Sequence, residues 1–189
     1  MWIARVLAGL ALAPALAPAA DADFDRLMSA LAQHKHGEVS FVEEKYLALL
    51  DRPVESAGTL LYDAPDHLEK RTTRPKAESL VLDGNVLTAQ RGRHKYVLNL
   101  QQYPQVVPFI ESLRATLAGD RPKLEQLFKV DFGGSFEHWS LELVPLDTKL
   151  AGAVKRIRIE GQTDRIDTVG IFEADGDRSL LRIDSAAPQ

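Results

Sequence analysis

The sequence predicts a mainly β, α+β fold in which helices cover one face of an antiparallel sheet. Over most of the chain, apolar and polar residues alternate with the two-residue period of strands that have one buried face. Short turns rich in Gly, Pro and Asp separate these segments, and two segments with a helical period interrupt them. Because a sheet with an apolar face must bury that face, we expect the two helical segments to lie against it and enclose a cavity.

The first residues, 1–19, have the pattern of a signal peptide. An apolar run at 6–16 follows the single cation Arg5 and is too short for a membrane anchor. Ala-Pro-Ala at 17–19 and Ala-Asp-Ala at 20–22 both suit signal peptidase, so we expect cleavage near residues 19–22 and export of a single domain, residues 20–189. An uncleaved anchor or a buried helix is the alternative, which two prolines and an acidic residue disfavour.

The composition excludes several classes of protein. The 189 residues are 45% hydrophobic, enough for a packed core in one domain. A formal charge of -4 gives no footprint for nucleic acid. With no cysteine, the chain has no disulfides and no site for an N-terminal lipid anchor, so we expect it to be free in its compartment.

An amphipathic helix is predicted first. Its apolar positions fall at i, i+3, i+4 and i+7, namely Phe24, Leu27, Met28 and Leu31. Asp23 has the position of an N-cap residue, and we expect the helix to end near His34.

A meander of strands follows, joined by turns of two to five residues. The expected strands are, in order, one with Val39 and Phe41, one with Ser56, Gly58, Leu60 and Tyr62, one at 68–73, a hairpin over 80–90, and one at 96–100. The turns between them are Arg52-Pro53, Ala64-Pro65-Asp66, Asp83-Gly84-Asn85 and Arg91-Gly92-Arg93.

Two prolines, Pro104 and Pro108, introduce a second helix that Gly119 ends at the C-cap position. Its apolar stripe comprises Val106, Ile110, Leu113 and Leu117. A shorter helical turn is predicted around Leu124, Leu127 and Phe128. Strands are expected again from Lys129, at Trp139, Leu141 and Leu143, at Ile157 and Ile159, at 166–173, and, after the turn 174–177, at Leu181 and Ile183.

No catalytic or metal-binding motif is apparent, so we expect neither an enzyme nor a cofactor. His34 and His36 have no convincing further ligands, and we interpret them as solvated. Asp175-Gly176-Asp177 is explained by a hairpin turn rather than a calcium loop.

Charged residues on the strands are interpreted as outward-facing, including Glu43-Glu44 and Glu69-Lys70-Arg71. The basic tip formed by Arg91, Arg93, His94 and Lys95 is a solvated turn or, alternatively, a contact for a phosphate headgroup. The alternating apolar residues form either a dry core or the lining of an acyl-chain site, and periodicity does not separate the two.

Several runs carry a family resemblance. GTLLYDAPDHL at 58–68, RPKAESLVLDG at 74–84 and VSFVEEK at 39–45 resemble the LolA-type periplasmic carriers of outer-membrane lipoproteins. SLRATLAGD at 112–120 resembles a signature of a divergent branch whose members often accompany gene clusters for aryl-polyene pigments. The chain departs from the best-known carriers at Ala64, where they often have an Arg that helps hold the lid, and in having too few residues after Ile183 for their additional strand.

The resemblance implies an incomplete antiparallel β-barrel, or half-barrel, with a helical lid over an apolar cavity. It implies a monomeric periplasmic carrier without a cofactor or metal. Its cargo would be lipoprotein acyl chains or a glycolipid or polyene lipid, ferried from an inner-membrane donor towards an outer-membrane acceptor. A lipid- or partner-sensing module without net transport is the alternative. The expected cavity residues are Val39, Phe41, Leu60, Tyr62, Leu68, Leu80, Leu82, Ile110, Leu113, Leu117, Trp139, Leu141 and Leu143.

Overall fold

A single open antiparallel sheet dominates the protein. The structure, a computed structural model, describes residues 17–103 and 107–184. Within these ranges, eleven strands lie in the order β6-β5-β4-β3-β2-β1-β11-β10-β9-β8-β7. The two outer strands of this order do not pair with each other, so the sheet is an incomplete barrel. The mainly β class and the half-barrel expected from the sequence are confirmed.

The strands agree with the predicted alternation. They are β1 His36–Tyr46, β2 Val54–Asp63, β3 His67–Arg74, β4 Glu78–Asp83, β5 Val86–Arg91, β6 His94–Asn99, β7 Phe128–Ser135, β8 His138–Pro145, β9 Val154–Gln162, β10 Arg165–Glu173 and β11 Arg178–Asp184. Within β1–β6 and within β7–β11, strands that follow each other in the chain are neighbours in the sheet, as a meander requires. The pairing of β1 with β11 joins the two runs into one sheet.

The helices are α1 Ala17–Leu31, α2 Val107–Ala118, α3 Arg121–Leu127 and α4 Thr148–Ala151. Asp120 caps α3 by accepting from the backbone N–H of Lys123, and Asp147 caps α4 in the same way at Lys149 and Leu150. The sequence analysis did not predict α4, which is only one turn long. None of the helices in the described ranges is long and apolar enough to cross a membrane.

The hydrophobic core lies at one end of the sheet, between β7–β9 and the helices α1 and α3. The predicted stripe of α1 is fully buried there, with Leu27 and Leu31 among its members. Phe24 stacks on Phe132 of β7 with ring centroids 5.5 Å apart. Arg121 fastens α3 to α1 by donating to Asp21 and Asp25.

Two sequence predictions fall partly outside the described residues. The signal-peptide run at 6–16 lies outside them, and so does Val106 of the α2 stripe.

Gly119 follows α2 with φ +66, as the predicted C-cap requires.

Candidate lipid-binding face

All ten strand residues predicted to line the cavity lie on one face of the sheet. Strand register establishes this, because directly paired residues share a face. Val39 pairs with Leu60, and Leu141 pairs with Ile159. Strand β11 pairs with both β1 and β10, and its register places the face of Val39 and the face of Leu141 on the same side of the sheet. We call this the inner face, and it is the face that packs against α1 and α3.

The inner face has a filled part and an open part. In the filled part, Trp139, Leu141 and Leu143 are buried in the core beneath α1 and α3. The indole N–H of Trp139 donates to the carbonyl of Thr163 at 2.9 Å. In this conformation these three side chains therefore form the packed core.

The open part is an apolar floor made by β1–β5. Val39, Leu60, Leu68 and Leu80 are only half-buried, although they are large and apolar. Cross-strand pairing places Tyr62, Leu68, Leu82 and Leu87 in one row across four strands. Phe41, Tyr62 and Leu82 are buried within this floor. An incompletely covered apolar surface of this kind suits a flexible apolar ligand.

Helix α2 packs on the core through small residues and Phe109 rather than through its predicted stripe. Ser112, Ala115 and Thr116 are buried, and the hydroxyls of Ser112 and Thr116 donate back to carbonyls one turn earlier in α2. At Gly119 a Cβ atom would lie 2.0 Å from the carbonyl oxygen of Met28, so the close approach to α1 requires glycine.

The predicted α2 stripe of Ile110, Leu113 and Leu117 is half-buried. Successive helical residues are separated by about 100°, so this stripe lies between the small-residue side and Arg114. Ala118 is exposed on the remaining side. The apolar stripe is thus turned away from the residues that contact the core and towards the side of α2 that carries Arg114.

Arg114 connects α2 to the rim of the open part. Its guanidinium donates to the backbone carbonyl of Asp66, in the β2–β3 turn, and to that of Gly84, in the β4–β5 turn. Glu111, one turn earlier, accepts from the same guanidinium at 3.1 Å. The Nε atom of Arg114 is buried without a hydrogen-bond partner among the described residues.

A polar cluster lies on the inner face beside the apolar floor. Glu43 accepts from Lys70 Nζ at 2.5 Å, from Ser179 Oγ at 2.6 Å and from Ser56 Oγ at 3.1 Å. The four residues come from β1, β3, β11 and β2. Lys70 Nζ also lies 5.0 Å from the centroid of the Phe41 ring. We call these four residues the inner polar cluster.

The inner polar cluster corrects a sequence prediction. Glu43 and Lys70 were expected to face outward, but both share the face of Phe41 and Leu68, two residues away in their own strands. The physical reason is that each satisfies the other's charge on the inner face. Glu44, Glu69 and Arg71 do face outward, and Arg71 donates to Glu69.

Electrostatics keep Glu43 ionised. Burial alone would raise the pKa of its carboxyl, but the hydrogen bonds from Lys70, Ser179 and Ser56 outweigh burial and hold the pKa below its usual range. The cluster is therefore an ion pair with balanced charge.

Comparison with known families decides the identity of the fold. The family model described as "Outer membrane lipoprotein carrier protein LolA-like" matches residues 15–188. The chain belongs to this LolA-like family. The predicted resemblance is confirmed, and none of the curated proteins matches the sequence.

Solved structures similar to this LolA-like protein are distant in sequence. LppX from Mycobacterium tuberculosis has 8% identity and a TM-score of 0.47, with 92% of this chain and 98% of that chain covered. A LolA superfamily protein from Nitrosomonas europaea has 10% identity and a TM-score of 0.42, with 84% and 90% covered. LprF from Mycobacterium bovis has 11% identity and a TM-score of 0.37, with 92% and 95% covered.

The remaining candidate residues of the LolA-like protein do not belong to the apolar floor, although the register places Arg91 on the inner face. His34 pairs with Asp164 at 2.9 Å, and His36 pairs with Asp63. In the described ranges no group of three or more His, Cys, Asp or Glu side chains could hold a metal. In the basic tip, Arg91, Arg93, His94 and Lys95 are all exposed, and Arg91 lies 3.6 Å from Glu78.

Two clefts also lie away from the open part. One, of about 460 Å³, is lined mainly by outward-facing polar residues of β8–β10, including Ser140, Arg158 and Glu160. The other, of about 220 Å³, lies between α1, α3 and β7. Neither cleft was predicted from the sequence. Among the predicted cavity residues, only Trp139 lines one of them, the larger cleft.

Proposed function

We propose that this protein is a periplasmic carrier that shelters the acyl chains of lipidated cargo on the open part of the inner face. The cargo is a lipoprotein or an aryl-polyene-type lipid taken from an inner-membrane donor and ferried towards an outer-membrane acceptor. Carriage needs no covalent chemistry. The observation that carries the proposal is the half-buried apolar floor of Val39, Leu60, Leu68 and Leu80 on the inner face of the sheet.

The energetics of transport suit such a floor. An acyl chain loses about 0.8 kcal/mol for each CH₂ group that it exposes to water. A carrier must therefore cover most of the acyl chain. The floor alone covers only one side of that chain. The half-buried stripe of Ile110, Leu113 and Leu117 supplies apolar surface for the other side.

Helix α2 has the properties of a lid that can be displaced. Hydrogen bonds from Arg114 to two turn carbonyls hold it on the rim. Its fully buried residues, Ser112, Ala115 and Thr116, are small, and Phe109 packs against the core while only partly buried. The unpartnered Nε of Arg114 costs about 1–3 kcal/mol, so the closed arrangement is stabilised less than it could be. Cargo that displaces α2 must overcome these hydrogen bonds and packing contacts, and their re-formation assists release to a better acceptor.

Native mass spectrometry tests the proposal on mature protein purified from the periplasm of its own host, followed by solvent extraction. A discrete acylated or polyene ligand is expected at a stoichiometry of about one per chain. Leu68→Glu should lose this ligand because it places a charge on the floor, whereas Val42→Glu on the outer face should retain it. A ligand-free wild-type mass, with no uptake of added acyl lipids, would overturn the proposal.

A further inference from the structure

The inner polar cluster is positioned where a bound acyl chain would meet it. Lys70 pairs directly with Leu60 on one side and with Leu80 on the other, so its Cβ atom belongs to the apolar floor. Its ammonium reaches across β2 to Glu43 on β1. The β2 residue between them is Gly58, whose lack of a side chain leaves the path clear. A Cβ atom at Gly58 would also lie 1.9 Å from the carbonyl oxygen of Arg71.

The cluster keeps hydrogen-bonding capacity that the protein does not use. The Lys70 ammonium has three N–H donors; one bonds to Glu43, and the aromatic face of Phe41 lies close by. The Lys70 side chain is 27% exposed and that of Glu43 is 19% exposed, so neither is sealed from a ligand. The hydroxyls of Ser56 and Ser179 donate to Glu43. The group with donors to offer a ligand is therefore Lys70.

The charge balance between Lys70 and Glu43 restricts which ligand groups the N–H donors of Lys70 bind favourably. Glu43 lies within hydrogen-bonding distance of the ammonium and neutralises it. A ligand carboxylate or phosphate would gain from Lys70 but be repelled by Glu43 at a similar distance. A neutral carbonyl oxygen accepts the N–H without that repulsion. Uncharged acyl esters and amides have such an oxygen at the first carbon of the chain.

From this arrangement we infer that Lys70, held by Glu43, binds the ester or amide carbonyl that links an acyl chain to the rest of its cargo. This inference rests on the proposed carrier function and adds the chemical class of the cargo's linkage. The acyl chain then extends from Lys70 along the floor of Leu60, Leu68 and Leu80 towards α2. The cargo's polar part leaves the sheet at the opposite rim, beyond Ser56 and Ser179.

The test compares two lipids that differ in the carbonyl alone, monopalmitoylglycerol and its hexadecyl ether analogue. Each displaces a fluorescent acyl probe from the full-length mature protein. Wild type should bind the ester about tenfold more tightly than the ether, as one hydrogen bond to a charged donor would give. Lys70→Met should reduce ester binding to the level of the ether and leave ether binding unchanged. Lys70→Arg, which keeps the donors, should retain the preference.

A matched control uses the ion pair on the opposite face of the same sheet. Glu44, the neighbour of Glu43 in β1, accepts a hydrogen bond from Arg182 at 3.0 Å. The variant Arg182→Met should keep the full preference for the ester. If Lys70→Met does not fold, Glu43→Gln/Lys70→Met makes the same comparison without an unpaired carboxylate. Equal binding of ester and ether by wild type, or a preference that survives Lys70→Met, overturns the carbonyl site. Failure of both lipids to bind overturns the carrier function itself.

Discussion

Arg114 of α2 donates a hydrogen bond of 3.2 Å to the backbone carbonyl of Asp66, forty-eight residues earlier in the chain. The same guanidinium reaches the carbonyl of Gly84. One side chain thereby joins the helix to two turns at the rim of the open apolar floor. This contact starts from the helix, whereas Ala64, in the β2–β3 turn, has no polar side chain that could make it.

Removing this contact should loosen α2 without unfolding the sheet. In Arg114→Met we expect amide exchange in α2 to rise roughly tenfold, consistent with the loss of hydrogen bonds from a charged donor. Uptake of an acyl probe should become faster. Hydrogen exchange with mass spectrometry measures the first effect and stopped-flow fluorescence the second. Arg158→Met, which removes an outer-face partner of Glu160, is the control. Unchanged exchange in α2 would contradict the role given to Arg114.

A charge on the open floor should weaken acyl binding. Leu60→Glu places a carboxylate opposite Val39 and Lys70, and we expect the affinity for an acyl probe to fall roughly tenfold or more. Val42→Glu changes a residue of β1 that is 45% exposed on the outer face, and it should bind like wild type. Equal binding by the two variants would place the acyl site elsewhere.

Close packing at the end of α2 should make Gly119 intolerant of alanine. Gly119 has φ +66 and lies against the backbone of Met28, whereas Gly92 has φ +58 and nothing near its missing Cβ. Both substitutions incur about 1–3 kcal/mol of backbone strain, but Gly119→Ala should also push α2 from α1. Chemical denaturation should therefore show a clearly larger loss of stability for Gly119→Ala. Equal losses would show that the helix contact is unimportant.

The Glu43 ion pair should make stability depend on pH in the acid range. The pKa of this carboxyl is lower in the folded protein than its usual value of 4.5, so its stabilisation is present above that pH and is lost as the pH falls through the lowered pKa. Glu43→Gln should accordingly lose less stability than wild type between about pH 6 and pH 3. Denaturation at each pH measures this, with Glu55→Gln on the exposed side of β2 as the control. Parallel profiles for wild type and Glu43→Gln would contradict the assignment.

Much of the fold followed from local periodicity. Alternation placed Leu60, Leu68 and Leu141 on one face because each strand segment was long enough to establish its phase. The same argument would have found Glu43 and Lys70, which are two residues from Phe41 and Leu68. Treating strand charges as outward-facing by default obscured this.

Other features had no local signal. Contacts between Arg114 and turns far away in the chain depend on how the meander is arranged, which periodicity does not specify. In α2 the larger residues were assumed to be the buried ones, but the fully buried residues are Ser112, Ala115 and Thr116, in a helix whose end approaches Met28 closely at Gly119. The division of the inner face into a filled and an open part likewise depends on where α1 and α3 pack, so the roles of Leu60 and Leu141 could not be separated beforehand.

Photo-crosslinking tests whether the open floor holds the acyl chain, because it locates that chain on the protein. A palmitoyl glycerol ester with a diazirine in its chain is bound to the mature protein, irradiated, and mapped by peptide mass spectrometry. We expect labelled peptides from β2–β4, at Leu60, Leu68 or Leu80, together with the α2 stripe. Labelling concentrated instead in the outer-face cleft around Ser140 and Arg158 would contradict this expectation.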